Sequence, residues 1–141
     1  PEDMKFEIGR GITVREGGDV TIITTGTVLH KALAAAELLE AKGIQARVVD
    51  MHTIKPIDEE LIIEGASETG AIVTVEEHSI IGGLGSAVCD VLSEQFPVPV
   101  YKIGIRDTFG ESGPAADLLR KYGLDGEGIR TQVAEWLNIR R

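Results

Sequence analysis

The sequence predicts a doubly wound α/β domain, on three observations. Short, β-branched apolar runs recur at residues 20–24, 44–50, 71–75 and 98–103. Between them, apolar residues follow the 3.6-residue period of a helix buried on one face. Glycine, proline or an acidic cap residue marks nearly every switch between the two patterns. Strands that alternate with helices make a mostly parallel sheet, because right-handed crossovers lay helices on both faces. The chain has 141 residues, enough for one compact domain with its own core. Only 4% of residues are aromatic against 43% hydrophobic, so aliphatic side chains must fill that core.

The elements follow in order. Residues 6–8 and 12–15 flank Gly9 and Gly11, which suggests a small hairpin or an extended lead-in. Residues 1–15 are therefore read as a lead-in or linker segment, and 16–141 as the domain. Gly17 and Gly18 turn the chain into the first core strand, Val-Thr-Ile-Ile-Thr. After Gly26 a helix carries Leu29, Leu33, Ala36 and Leu39 or Glu40 at the 3.6-residue period, and Gly43 is placed to end it. Pro56 interrupts regular structure after the strand at 44–50. Asp58 then has the character of a helix N-cap, with Glu59 and Glu60 in the first turn, where the helix dipole favours negative charge. Ile57 and Ile62 bracket this cap as a hydrophobic staple, and Gly70 closes the helix. The third strand is placed at 71–75, and the next helix from Ser86 to about Gln95, with Val88, Val91, Leu92 and Phe96 apolar. Pro97 and Pro99 lie near the start of the strand at 98–103, where prolines are tolerated. Residues 106–113 read as a loop and Pro114 as the start of a short helix ending at Gly123. A last helix runs from near Glu127 to Leu137, with Ile129, Val133 and Trp136 or Leu137 on one face.

Charge and composition exclude several classes of function. The net charge of -9 argues against nucleic acid and against an anionic membrane surface, both of which call for clustered Lys and Arg. No apolar run approaches twenty residues, so no transmembrane helix is predicted. The first residues show no signal-peptide pattern. Cys89 stands alone, cannot form an internal disulfide, and reads as a small core residue. A cytoplasmic location fits these features.

Chemistry-bearing residues cluster where strands end. In an open α/β sheet, ligands and partners meet the carboxyl ends of the strands. Asp50 and His52 follow the second strand, Glu76, Glu77 and His78 the third, and Asp107 the fourth. Such a set could hold a divalent metal or supply acid–base groups. It lacks a tight His-x-His or His-Glu-x-x-His spacing, which favours the plainer reading of a solvated acidic rim, or of hydrogen bonds that fix loops. Gly83-Leu84-Gly85-Ser86-Ala87-Val88 approaches a dinucleotide-binding fingerprint but ends in Val88, and it is not in the first βαβ unit. Close backbone approach and a sharp turn explain these glycines more simply. The rim of His52, Glu77, His78, Gly82, Gly83 and Gly85 is thus the expected interaction surface, with no catalytic, cofactor-binding or metal-binding residue assigned.

Several segments taken together resemble the C-terminal domain of transketolase, a thiamine-diphosphate enzyme of the pentose phosphate pathway. They are Phe6-Glu7-Ile8-Gly9-Arg10-Gly11, residues 16–23 (EGGDVTII), residues 49–58 (VDMHTIKPID), Glu76-Glu77-His78 with Gly82-Gly83-Leu84-Gly85, residues 107–113 (DTFGESG) and Tyr122-Gly123-Leu124. Related motifs occur in deoxyxylulose-phosphate synthase and in the β subunit of 2-oxo-acid dehydrogenases. The Glu-Glu-His form and the Phe-Gly-Glu-Ser-Gly loop tilt the resemblance to transketolase, especially to forms made as separate sections.

The resemblance implies a three-layer αβα fold with a mostly parallel five-stranded sheet and one antiparallel strand. It implies a complete enzyme that moves a two-carbon ketol unit between sugar phosphates, using thiamine diphosphate and Mg²⁺. Cofactor-binding and catalytic residues belong to the diphosphate-binding and pyrimidine-binding domains, so none carries over to this sequence, and this domain itself binds no cofactor. Its implied role is to pack on the pyrimidine-binding domain and help a homodimer assemble; by itself it should be inactive. Two other readings stand beside this one. A dehydrogenase β subunit would also dock an acyltransferase. A regulatory module would hold an anion or nucleotide at residues 82–86.

Overall fold

The computed structural model describes residues 9–79, 83–105 and 123–140. The described elements are β1 (Ile12–Arg15), β2 (Val20–Thr24), a 3-10 turn (Gly26–Val28), α1 (Leu29–Glu40), β3 (Ala46–Asp50), α2 (Glu59–Thr69), β4 (Ile72–Ser79), α3 (Leu84–Gln95), β5 (Val100–Ile105) and α4 (Gly126–Arg140). The five strands form one sheet in the order β1-β3-β2-β4-β5. β1 is antiparallel to β3, and every other pairing is parallel. The expected mixed sheet with one antiparallel strand is therefore present. Ile12–Arg15, assigned by sequence to the lead-in, forms that antiparallel edge strand. The expected loop at 106–113, the helix from Pro114 and the segment 6–8 lie outside the described residues.

Alternation along each strand divides the apolar residues between two cores. Val20, Ile22, Ala46, Val48, Val73 and Val75 face one way and meet α1 and α4 through Ala32, Ala36, Leu39, Ile129 and Val133. Ile23, Val49 and Ile72 face the other way and meet α2 and α3 through Ile62, Ala66, Leu84, Val88 and Leu92. Each fully buried Ile, Leu or Val contributes roughly 1.5–3 kcal/mol through removal of apolar surface from water. The scarcity of aromatics is met as the composition requires, by aliphatic side chains. Among the described residues, Trp136 stacks on Tyr101, with ring centroids 5.6 Å apart, at the border of the first core. Cys89, expected in the core, is half-buried on α3 as a free thiol.

α2 shows how local sequence sets an element. Asp58 caps its N-terminus, its side chain accepting from the Leu61 N–H, and Glu59 and Glu60 occupy the first turn. Gly70 ends the helix at φ 71°, a left-handed conformation that a side chain would strain. α3 and β4 depart from the sequence reading. α3 begins at Leu84, two residues before Ser86, and β4 runs through Ser79 instead of ending at Val75. Glu76, Glu77 and His78 are thus strand residues. β4 continues because β5 remains its partner after β2 has ended, Ser79 lying opposite Ile105.

Candidate functional site

The carboxyl ends of the four parallel strands define one edge of the sheet, and β1 brings its amino end to the same edge. Ile12 is the register partner of Asp50. The segment leading into β1 is tied down there: the Gly11 N–H donates to Asp58 Oδ2 at 2.9 Å and the Gly9 N–H to Thr53 Oγ1 at 3.1 Å. β2 and β3 end together, with Thr24 opposite Asp50, and the Met51 N–H donates to the Thr24 carbonyl at 2.7 Å.

Two buried groups give this edge its chemistry. The first is Glu76, 2% exposed on β4. Its Oε1 accepts from the Leu84 N–H and its Oε2 from the Gly85 N–H, both at 2.9 Å. The carboxylate therefore sits at the N-terminus of α3, where unpaired N–H groups and the helix dipole favour an anion. Gly85 makes this possible by bringing α3 close to the sheet. A Cβ there would stand 2.9 Å from Thr74 Oγ1 and 2.9 Å from Lys102 Cγ and Cδ.

The second is Asp50, 6% exposed at the end of β3. Neither its Oδ1 nor Oγ1 of Thr24, which is fully buried, has a hydrogen-bond partner among the described residues. Burial pushes the Asp50 carboxyl above its ordinary pKa, and the nearby His52 pulls it the other way.

The residues expected on the rim distribute as follows. His52 is half-buried just after β3, beside Asp50, and Glu77 is half-buried on β4. His78 follows Glu77 on the same strand. His52 and Glu77 thus share the carboxyl edge but stand on either side of the end of β2. Gly83 is the residue before α3, and Gly85 is buried in its first turn. Gly82 and Asp107 lie outside the described residues. Thr24 carried no sequence signal, since a threonine closing a β-branched run looks like ordinary strand. Glu76 did carry one. It shares the parity of Ile72 and Thr74, and so points to the same face as the helix that follows. Among the described residues no three His, Cys, Asp or Glu side chains gather as a metal site. No helix among them is long and apolar enough to cross a membrane.

Fold and edge together define an α/β domain in which the N-terminus of α3 is capped by the chain's own buried Glu76, with a second buried carboxyl, Asp50, at the same edge. Residues 9–129 match the family model described as transketolase, C-terminal domain, and the chain belongs to that family. It is 48% identical over 142 residues to a 6-deoxy-6-sulfo-D-fructose transketolase subunit of Clostridium sp. (strain MSTE9), covering 99% of this chain and 44% of that protein. It is 47% identical over 136 residues to an apulose-4-phosphate transketolase subunit of Phocaeicola vulgatus, covering 96% and 43%. A split-gene transketolase solved as an inactive β4 tetramer superposes with a TM-score of 0.92 at 55% identity, covering all of this chain and 46% of that one. The chain thus spans less than half the length of these relatives.

Proposed function

We propose that this chain is the non-cofactor-binding C-terminal domain of a cytoplasmic transketolase. The complete enzyme transfers a two-carbon ketol unit between sugar phosphates with thiamine diphosphate and Mg²⁺, which are bound by its diphosphate-binding and pyrimidine-binding domains. This domain packs on the pyrimidine-binding domain and supports a homodimer. The observation that carries the reading is the family match across residues 9–129, in a chain spanning 44% of a transketolase subunit.

Glu76 supports the division of labour. Its carboxylate uses the Leu84 and Gly85 N–H groups, the donors that a diphosphate or nucleotide would need at this turn. A bound anion would have to displace a buried, doubly bonded carboxylate of its own sign. The donor set therefore does not fit a diphosphate, and this weighs against the regulatory anion module.

Calorimetric titration of the chain with thiamine diphosphate and Mg²⁺ tests the assignment. The expected result is no heat of binding, with ketol transfer appearing only when the remaining domains are supplied. Micromolar binding by the chain alone, or no ketol transfer by the complete enzyme, would overturn it.

A further inference from the structure

We draw no further inference here: the strongest candidate, the groove between the end of α1 and the last turns of α4, lined by Lys42, Ile44, Ala134 and Leu137 beside the exposed Ile139, is an unpartnered apolar surface, and nothing in the structure shows what covers it.

Discussion

The carboxylate of Glu76 lies 2.9 Å from the N–H of Gly85, nine residues further along the chain, and its second oxygen holds the N–H of Leu84. A strand residue thus caps the helix that follows it, and the turn between them is closed from both sides. Glu76→Gln keeps the shape but loses the charge and replaces one acceptor by a donor facing an N–H. An unsatisfied buried donor and a lost charge–dipole contact together cost about 2–4 kcal/mol. Denaturant unfolding of the two proteins measures it; a difference below about 0.5 kcal/mol would count against the cap being significant.

Gly85→Ala tests the close approach of α3 to the sheet. Alanine is the better helix former by about 1 kcal/mol. The new methyl would nevertheless meet Thr74 Oγ1 and the Lys102 stem at 2.9 Å. Overpacking of this kind costs about 1–3 kcal/mol, so the variant is expected to be net less stable. Lys102→Ala, which clears the Lys102 side of the clash, should recover part of the loss in the double variant. An additive double-variant result would remove Lys102 from the account.

Asp50 gives a pH signature. Its carboxyl is raised above 3.8 in the folded chain, chiefly by burial. A raised acid favours folding most below its unfolded pKa, and that advantage is lost as pH rises through the folded value. Asp50→Asn removes this dependence. Thermal melts of the 141-residue chain should therefore show the variant gaining on the wild type as pH rises from about 4 towards neutrality. A gap that moves the other way over that range would contradict the burial account.

Asp58 joins two segments at once, capping α2 through Leu61 and holding Gly11 ahead of β1. Asp58→Ala should cost more than the roughly 1 kcal/mol of an ordinary lost cap. It should also speed exchange of the Gly11 amide. Asp58→Asn retains the capping oxygen and should recover most of the α2 contribution.

Sequence reading succeeds where the signal is local. Asp58, Glu59 and Glu60 mark the start of α2 and Gly70 marks its end with groups that act within one turn. It falls short where a distant partner decides. β4 outlasts its apolar run because β5 still pairs with it at Ser79. α3 starts at Leu84 because a carboxylate eight residues back satisfies its first N–H. Neither pairing leaves a mark in the apolar pattern of either segment.

The site is legible in part for the same reason. Parallel strands must bring their carboxyl ends to one edge, so His52 and Glu77 can be assigned to it before any coordinates. Asp50 and Thr24 form a buried pair only because β2 and β3 end in register, and strand register is not readable from either strand alone. Close packing explains Gly85, as the glycine turn suggests, since the geometry there leaves no room for a methyl.

Trp136, the chain's single tryptophan, stacks on Tyr101 beside the core made by α1 and α4. The opposite core, with α2, α3 and the Glu76 cap, contains no indole. Intrinsic fluorescence is therefore a one-sided witness: it watches one layer of the sandwich and is blind to the other. A denaturation curve followed by emission and one followed by backbone dichroism coincide only if both layers let go of the sheet together.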